Sequence, residues 1–376
     1  MQLTAFRAYR LRIPFRSRFS HALASRDRTD SVLLALTDAE GRVGYGEGTP
    51  RPYVTGETAD RVGRTLLAAA GRLVGADLPT VHALQERLDA DPTLASAPSA
   101  RCALELALLD LMGKTSHQPV LDLLGTPRAE RVFYSAVVGT DHPEQLAKLA
   151  QRIAQVGVRQ VKLKVGADAA RNREAVRLLR GILGEGVELR ADANAAWSLD
   201  EAPAHLATLA DEGVFHVEQP LSAADRDAWL ALRTRIGRDV RVCADESVCT
   251  LADARWLAEH RAVDGFNLKV SKHGGIGPTL AVHELATQNG LFCQLGCHVG
   301  ETSLLSAAGR LVAALTGDLR ACEGSYGLLL LENDLTPAPL QAGFEGVGTL
   351  AELRRPGLGV EVELDGVRGF LEPVVA

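Results

Sequence analysis

After residue 160, five short apolar runs each end in a charged residue, and these ends recur at nearly equal intervals. They lie 28, 26, 27 and 24 positions apart, at Lys164, Asp192, Glu218, Asp245 and Lys269. Such an interval holds one strand of about five residues and one helix of about twelve. Strands and helices that alternate without hairpin turns predict parallel strands joined by helical crossovers.

About eight such strand–helix units fit into residues 128–345, the number found in a (β/α)-barrel. A doubly wound open sheet would show the same alternation. Its usual mark is a glycine-rich nucleotide-binding turn, GxGxxG or GxxxxGK with Ser or Thr, and this sequence has neither. We therefore predict a barrel domain over residues 128–345, with helices at Pro143–Gln155, Ala169–Leu183, Leu199–Glu212, Ala224–Gly237, Leu251–Glu259 and Pro278–Gln288.

The first 127 residues show a different pattern, which predicts a separate α+β domain. Its β-rich runs are Thr4–Ile13, Ser31–Thr37 and Val43–Glu47, with a polar loop at Arg16–Asp27. Helical periodicity follows at Arg61–Leu73, Thr80–Leu88 and Ala100–Met112. The C-terminal segment, residues 346–376, is β-like again over Gly357–Val375, and we expect it to return to this domain.

The overall charge is mild and scattered, which argues against a polyanionic partner. The formal charge is −6 over 376 residues, so neither nucleic acid nor an anionic membrane is an expected partner. The six cysteines form no CxxC pair, and no apolar run reaches the roughly 20 residues of a membrane helix. We expect a cytoplasmic protein with reduced thiols that acts on a small molecule.

Three of the evenly spaced end residues are acids. The carboxyl ends of barrel strands meet at one face, so Asp192, Glu218 and Asp245 would be neighbours on strands about 4.8 Å apart. Each acid alone could equally be a helix N-cap or a surface salt-bridge partner. Three carboxylates this close repel one another unless a cation compensates. An all-oxygen set without His or Cys suits Mg²⁺, which Mn²⁺ could replace.

Three lysines flank the acids: Lys162 and Lys164 on the second strand and Lys269 on the sixth. Alternation puts Lys162 and Lys164 on one face, which by itself would also fit a solvated edge strand. At a barrel mouth, a neighbouring ammonium and a divalent cation would both disfavour the charged form of Lys164. Lowering its pKa by about 2–3 needs about 3–4 kcal/mol. Such a lysine can remove the proton α to a carboxylate while the metal stabilises the enediolate.

The motifs at these strand ends, taken in order, resemble one known family. KLK (Lys162–Lys164), DAN (Asp192–Asn194), VEQP (Val217–Pro220), ADES (Ala244–Ser247) and NLKVSKHGG (Asn267–Gly275) are similar to those of the enolase superfamily. The likeness is to its muconate-lactonising subgroup, the mandelate racemase/muconate cycloisomerase-like proteins. The resemblance implies a (β/α)7β barrel, an α+β capping domain formed by the N-terminal part and the C-terminal tail, and a homo-oligomer.

Carried over by position, the resemblance implies a role for each motif residue. The implied Mg²⁺ ligands are Asp192, Glu218 and Asp245, and the implied acid–base pair is Lys164 and Lys269. Lys162 would tune Lys164 and meet the substrate carboxylate. The implied supporting residues are Asn194 and Glu246. The loops that select the substrate would be Arg16–Ala24 and Tyr53–Thr58, the second of which contains Tyr53 and Thr55.

The ends of the seventh and eighth strands, which select the reaction in this family, are less decisive. The mandelate racemase branch pairs a His on the seventh strand with an Asp on the sixth. This chain has Lys269 there, so we expect His298 to line the pocket or to be structural. Dipeptide epimerases hold a substrate ammonium with Asp-x-Asp on the eighth strand, whereas the single Glu323 is closer to muconate cycloisomerases. Glu301 would contact the substrate or cap the following helix.

These features predict an Mg²⁺-dependent isomerase that forms an enediolate from a small carboxylate substrate. Two opposed lysines favour racemisation or epimerisation of an amino-acid-derived acid, because one takes the proton and the other returns it on the opposite face. Glu323 keeps a muconate-type cycloisomerase open, followed by a dehydratase or an o-succinylbenzoate synthase-like lyase. A non-catalytic binding protein is disfavoured, since it would not need to hold three carboxylates together.

Overall fold

An antiparallel sheet backed by helices forms the N-terminal part of the chain. The computed structural model describes residues 2–21, 24–76, 80–139, 142–237 and 239–375. The first strands are β1 (Leu3–Leu11), β2 (Pro14–His21), β3 (Ala24–Arg28), β4 (Ser31–Asp38) and β5 (Val43–Gly48). β4 lies between β1 and β5, and the C-terminal strand at Leu371–Pro373 pairs with the other edge of β1.

Strands β2 and β3 form a separate two-stranded hairpin, so the prediction of a polar loop at Arg16–Asp27 is wrong. A hairpin outside the main sheet buries little apolar surface, and its polar composition therefore carries a weak strand signal. The backbone of Phe15 bridges to Leu331, which anchors the hairpin to a barrel loop. Ala22 and Leu23, within the predicted substrate-selecting loop, lie outside the described residues.

Five helices follow the sheet in the described part of the chain: α1 (Ala59–Gly71), α2 (Val81–Asp89), α3 (Pro92–Ala95), α4 (Pro98–Ser116) and α5 (Val120–Leu124). Helix α4 is the central one, because every residue from Ser99 to Gly113 is buried. It packs on β5, where glycines at alternate positions leave room for the helix backbone. A Cβ added at Gly46 would overlap the carbonyl oxygen of Ala103. This close approach of β5 to α4 therefore depends on glycine.

A parallel sheet curls into the barrel after the short strand β6 (Arg131–Phe133). Among the described residues it has seven strands, which follow one another in space as they do along the chain: β7 (Ala136–Val138), β8 (Gln160–Lys164), β9 (Glu188–Asp192), β10 (His216–Glu218), β11 (Arg241–Ala244), β12 (Gly265–Leu268) and β13 (Phe292–Leu295). The helices are α6 (Pro143–Val156), α7 (Ala169–Leu183), α8 (Ala202–Asp211), α9 (Arg226–Arg235), α10 (Leu251–Glu259), α11 (Val270–His273), α12 (Ile276–Gln288) and α13 (Ser303–Thr316). The last strands are β14 (Val347–Thr349), which pairs with β6, and β15 (Leu371–Pro373).

A single bridging residue, Cys322, takes the place of an eighth strand. It forms parallel bridges to Tyr134 on one side and to Leu295 on the other. Ser135 N donates to Cys322 O (2.7 Å), and Glu323 N donates to Leu295 O (2.8 Å). The curled sheet is closed in this way, which confirms the predicted (β/α)7β barrel with an α+β capping domain.

The parallel register brings the charged strand ends to one face of the barrel. Lys164 is paired with Asp192, and Asp192 with Glu218, at the last residues of β8, β9 and β10. Asp245 and Lys269 follow the last residues of β11 and β12. Residues that are 24 to 28 positions apart in the sequence thus become near neighbours in space.

Two further parts of the chain differ from the prediction. Helix α13 is not among the predicted helices, because twelve of its 14 residues are buried and it lacks a continuous polar face. Within the β-like tail only Leu371–Pro373 is a strand, preceded by a 3₁₀ helix at Asp365–Phe370. The domain boundaries near residues 127 and 345 stay predictions. No helix in the described ranges is both long and apolar enough to cross a membrane.

We expect Gly46→Ala to lower the free energy of unfolding by about 2 kcal/mol, because the added methyl group overlaps the backbone of α4 and overpacking a core costs about 1–3 kcal/mol. Gly181→Ala is the matched control: this glycine lies on an exposed part of α7 with open space around it. Alanine there should stabilise the helix by up to about 1 kcal/mol. Urea denaturation measures both changes. A Gly46→Ala variant as stable as the wild type would contradict the close packing of β5 on α4.

Candidate active site

Three buried carboxylates lie at the ends of adjacent barrel strands. Asp192 ends β9, Glu218 ends β10 and Asp245 follows β11, and each residue is only 1 % exposed. Burying an isolated carboxylate is very costly, so each one requires a compensating charge or hydrogen bonds. In this structure the compensation comes from lysine ammonium groups.

Lys164 and Lys269 hold the two outer carboxylates. Lys164 Nζ lies 2.6 Å from Asp192 Oδ2, and Lys269 Nζ lies 2.6 Å from Asp245 Oδ2. Burial by itself lowers the pKa of Lys269, but the nearby carboxylates of Asp245 and Glu246 outweigh it and raise this pKa well above its ordinary value. Three strands separate β8 from β12, so the two ammonium groups approach the acids from different sides of the barrel mouth.

Lys162 is a buried cation that carboxylates surround. Its Nζ lies 2.6 Å from Glu323 Oε2, 3.2 Å from Glu218 Oε2 and 3.3 Å from Asp192 Oδ2. Burial favours the neutral amine, yet these three carboxylates hold the pKa of Lys162 well above its ordinary value. Lys162 therefore joins the ends of the third, fourth and eighth strands.

Glu323 is shared between two cations. One oxygen contacts Lys162, and the other lies 3.0 Å from the guanidinium of Arg190, which is itself buried on β9. Arg190 also donates to Gln294 Oε1 (2.8 Å) and to Ser135 Oγ (3.0 Å). Both carboxylate oxygens of Glu323 are thus engaged by the protein.

Glu218 lies in the middle of the acidic group. Asn267 Nδ2 donates to its Oε1 (2.7 Å), and Gln294 Nε2 donates to its Oε2. Burial raises the pKa of Glu218 to about 8, and the neighbouring carboxylate of Asp192 adds to this effect. Of the three acids at these strand ends, Glu218 is therefore the one whose charged form the site stabilises least.

Asp245 binds a second lysine on the side away from Lys269. Lys272 Nζ donates to Asp245 Oδ1 (2.9 Å), to Asp245 O (2.7 Å) and to Asn267 O (2.7 Å), and Lys272 is fully buried. Although burial would raise the pKa of Asp245, Lys269 and Lys272 hold it well below its ordinary value. The three acceptors fix Lys272 behind the carboxylate, away from the mouth of the barrel.

Asn194 and Glu246 extend the network on the Lys164 side. Lys164 Nζ donates to Asn194 Oδ1 (2.7 Å), and Asn194 Nδ2 donates to Glu246 Oε1 (3.3 Å). The other oxygen of Glu246 is buried without a hydrogen-bond partner among the described residues. Burial raises the pKa of Glu246 to about 7, reinforced by the charge of Asp245.

The loop after β13 forms another wall of the site. His298 Nδ1 lies 3.0 Å from both Thr49 O and Thr49 Oγ1, and His298 N donates to Glu301 Oε1 (2.6 Å). The N-cap of α13 is Thr302, whose hydroxyl accepts from Leu304 N. The alternative prediction of a cap role for Glu301 is therefore wrong; its carboxylate braces the loop that carries His298.

The loop at Tyr53–Thr58 lies over the barrel but turns some of its polar groups inward. Thr55 Oγ1 donates to Glu57 Oε2 (2.7 Å), and Val54 O accepts from the thiol of Cys249 (3.7 Å) on the barrel. Tyr53 is partly buried. The Thr55 hydroxyl thus supports the loop itself, and a role for it in substrate contact stays a prediction.

Four polar residues of this network are not among the predicted site residues: Arg190, Asn267, Lys272 and Gln294. Two of them could have been found from strand alternation, which puts residues two positions apart on the same face. Arg190 precedes Asp192 by two positions, and Asn267 precedes Lys269 by two. Lys272 lies inside the short helix α11, whereas Lys269 is its extended N-cap, so helical spacing does not link the two lysines. Gln294 lies within an apolar strand, and no pattern in the sequence marks it.

The three carboxylates offer only oxygen ligands, which suit a hard divalent cation, but in this structure their oxygens contact lysine ammonium groups. Over the described ranges, no three His, Cys, Asp or Glu side chains are arranged so that they could hold a metal ion. Lys164 and Lys269 contact Asp192 Oδ2 and Asp245 Oδ2 instead. The three adjacent, buried acids nevertheless offer only oxygen atoms, the ligand type that Mg²⁺ prefers.

Two family models match the chain. The one described as "Enolase C-terminal domain-like" matches residues 145–366, and "Mandelate racemase / muconate lactonizing enzyme, N-terminal domain" matches residues 6–125. The first covers most of the barrel with its lysines and acids. The second covers the antiparallel sheet β1–β4–β5 and helices α1 to α5.

Known proteins resemble the chain over nearly its whole length. The structure of an N-succinyl Arg/Lys racemase from Bacillus cereus superposes with a TM-score of 0.90 at 28 % identity, covering 100 % of both chains. A dipeptide epimerase from Enterococcus faecalis, solved with Mg and the dipeptide L-Leu-L-Tyr, has a TM-score of 0.86 at 27 % identity and covers 96 % of this chain and 100 % of its own. A chloromuconate cycloisomerase from Cupriavidus pinatubonensis is 30 % identical over 365 residues, 95 % of each chain.

Glu47 joins the capping sheet to the wall that carries His298. It lies on β5, and its Oε2 accepts from Thr302 N (3.2 Å) and Thr302 Oγ1 (2.6 Å) at the start of α13. Glu47 is fully buried, and burial raises its pKa to about 7. The folded protein therefore keeps the proton of Glu47 at pH values where the unfolded chain has released it.

We expect Glu47 to stabilise the folded protein by about 3 kcal/mol less at pH 7 than at pH 4.5, so the free energy of unfolding falls over this range. The Glu47→Gln variant should not show this fall. The sign follows from the raised pKa in the folded state: the contribution is complete below pH 4.5 and is lost as the pH approaches 7. Urea unfolding at pH 5, 6, 7 and 8 measures the difference between variant and wild type. Glu259→Gln, on the exposed end of α10, is the control. A difference that does not change with pH would contradict the buried, protonated Glu47.

Proposed function

The chain belongs to the mandelate racemase/muconate lactonizing enzyme family of the enolase superfamily and is an isomerase, and we propose that it racemises or epimerises an amino-acid-derived acid. One observation carries the proposal: Lys164 and Lys269 approach the same group of carboxylates from β8 and from β12. Inversion of a stereocentre needs a base on one face of the carbon and an acid on the other. Two lysines on different sides of the site meet this need.

In the proposed reaction, one lysine removes the α proton and the other returns a proton to the opposite face. When Lys164 is the base, the Cα–H bond breaks and the proton passes to its neutral Nζ, while the electron pair moves into the substrate carboxylate to give an enediolate. Lys269 then donates a proton from its ammonium group to Cα. Lys162, held as a cation by three carboxylates, supplies fixed positive charge that the carboxylate of the substrate would meet.

We propose that Asp192, Glu218 and Asp245 hold Mg²⁺. Support comes from the all-oxygen donor set and from the Enterococcus faecalis relative, which was solved with Mg. When bound, the ion supplies positive charge that stabilises the enediolate. Lys164 and Lys269 would have to release the carboxylate oxygens that they hold here, and both amines would then be free for proton transfer.

The eighth strand end favours a substrate with an acylated amino group. Dipeptide epimerases resembling this family hold a free ammonium with two acids at this position, whereas here Glu323 has both oxygens engaged by Lys162 and Arg190. Glu323 is thus a partner for buried cations and is not available for a substrate ammonium. An N-acylated amino acid, as in the name of the Bacillus cereus relative, needs no such partner.

A muconate-type cycloisomerase is the second candidate, favoured by the chloromuconate cycloisomerase relative at 30 % identity. That reaction needs only one lysine to move a proton. Isotope exchange separates the two candidates, because only racemisation and epimerisation incorporate solvent deuterium at Cα of the recovered acid. A homo-oligomer in a reducing compartment stays a prediction.

We expect Lys164→Ala and Lys269→Ala each to slow racemisation by about 10²- to 10⁴-fold, because each removes one of two required proton carriers. Each variant should still exchange the α proton of the one enantiomer that faces the remaining lysine. Mass spectrometry after incubation with N-acyl amino acids, dipeptides and muconates in D₂O, with Mg²⁺, measures both effects. Lys148→Ala, on the exposed face of α6, is the control. Full activity of either variant, or lactone formation without α exchange, would contradict the two-lysine mechanism.

We expect chelator-treated protein to bind one Mg²⁺ per chain in isothermal titration calorimetry and to regain isomerase activity with it. Asp245→Asn should weaken this binding by more than about tenfold, because it removes one of three charged donors. Asp200→Asn, at an exposed aspartate that pairs with Arg235, should leave binding unchanged. Equal Mg²⁺ affinity in both variants would show that the acidic group is not the metal site.

A further inference from the structure

His298 carries a hydrogen-bond acceptor that nothing in the described chain satisfies. Its Nδ1 lies 3.0 Å from the carbonyl oxygen of Thr49. A carbonyl oxygen only accepts, so the hydrogen of this bond belongs to Nδ1. The hydroxyl oxygen of Thr49, also 3.0 Å away, can share the same hydrogen. In the neutral ring Nε2 then bears a lone pair, and this atom is buried without a partner among the described residues.

The surroundings of His298 keep its ring neutral. Burial lowers the pKa of His298 well below its ordinary value, and the charges of Arg51 and Lys269 lower it further. Arg51 is fixed beside the ring by donating to Pro50 O (2.6 Å) and to Val299 O (2.6 Å). Asp245 acts in the opposite direction but does not reverse the shift. Nε2 is therefore an acceptor, and it requires a donor from elsewhere.

A small cavity lies between the ends of the seventh and eighth strands, next to His298. Cys297, Glu301 and Tyr326 also line it, and its volume of about 10 Å³ accommodates one group the size of a water molecule. The hydroxyl of Tyr326 is likewise buried without a hydrogen-bond partner in the described chain. Glu301 Oε1 accepts from the backbone N–H of His298, and no atom of Glu301 is a hydrogen-bond partner of Nε2.

We propose that His298 Nε2 accepts a hydrogen bond from the N–H of the substrate's acylated amino group. This inference rests on the proposed function and deepens it, since it restricts the substrate to acids that carry an N–H donor on Cα. An amide supplies that donor together with a carbonyl oxygen, to which the Tyr326 hydroxyl can donate. A muconate offers only carboxylate oxygens as polar groups, and these would face the lone pair of Nε2 without any hydrogen between them.

A pair of isosteres tests the contact directly. Each N-acetyl amino acid is compared with its 2-acetoxy acid, in which an ester oxygen replaces the N–H and the side chain is unchanged. The panel includes one apolar, one acidic and one basic side chain. Binding to the Mg²⁺-loaded protein is measured by calorimetry, and α-proton exchange is measured in D₂O. We expect the wild type to prefer the amide by about 100-fold in both measurements, because the ester leaves a buried acceptor unpaired.

Variants of His298 show whether this acceptor causes the preference. His298→Phe should reduce the amide preference to below about fivefold, since no acceptor is left, whereas His298→Gln should keep a preference above about tenfold through its side-chain carbonyl. His260→Phe, at an exposed histidine that stacks on Trp256, should retain the wild-type preference. The differing acidity of Cα–H in amides and esters cancels, because each preference is compared with that of the wild type.

The outcomes separate this contact from the proposed reaction. Amide preference in binding without α exchange would support the contact and reject the racemase. Exchange at equal rates for amide and ester would support the racemase and overturn the contact, as expected if a bound water satisfied Nε2 instead. Loss of exchange from one enantiomer alone in His298→Phe would also overturn it, because His298 would then be transferring a proton. A wild type that binds neither member of any pair overturns the contact as well.

Discussion

Charge balance at the carboxyl end of the barrel is the constraint on which the rest of the structure depends. Five carboxylates and five cations of the described chain meet there: Asp192, Glu218, Asp245, Glu246 and Glu323 with Lys162, Lys164, Arg190, Lys269 and Lys272. Removing one partner of a buried ion pair costs about 3–5 kcal/mol, so these groups depend on one another. Arg190 and Lys272, which have no part in the proposed chemistry, are explained by this balance.

Exposure separates the cations by role. The side chains of Lys162 and Lys272 are 4 % and 0 % exposed, whereas those of Lys164 and Lys269 are 19 % and 11 % exposed. The two that reach toward the mouth of the barrel are the two to which we assign proton transfer. The deeper pair supplies fixed positive charge to the acids. A single electrostatic network can thus be rigid at its base and accessible at its rim.

Much of this site could be predicted from the sequence because barrel strands repeat. The spacing of Lys164, Asp192, Glu218, Asp245 and Lys269 predicted that they share one face, and the parallel register places them there. The roles assigned to them as metal ligands and proton carriers stay proposals. The assignment of Glu301 as a cap failed for a local reason: Thr302, one residue later, has the hydroxyl that reaches Leu304 N.

The sequence by itself determined the alternation of strands and helices, the separate α+β domain and the residue type at each strand end, because these follow from periods of two, 3.6 and about 26 residues along the chain. Only the tertiary structure decided how the charges pair. Arg190 and Glu323 are 133 positions apart, and His298 meets Thr49 across 249 positions. No local pattern encodes such contacts, since they form only when the barrel closes at Cys322 and the capping domain packs on it. Closure therefore ties Glu323 to two cations and leaves His298 Nε2 without a partner among the described residues.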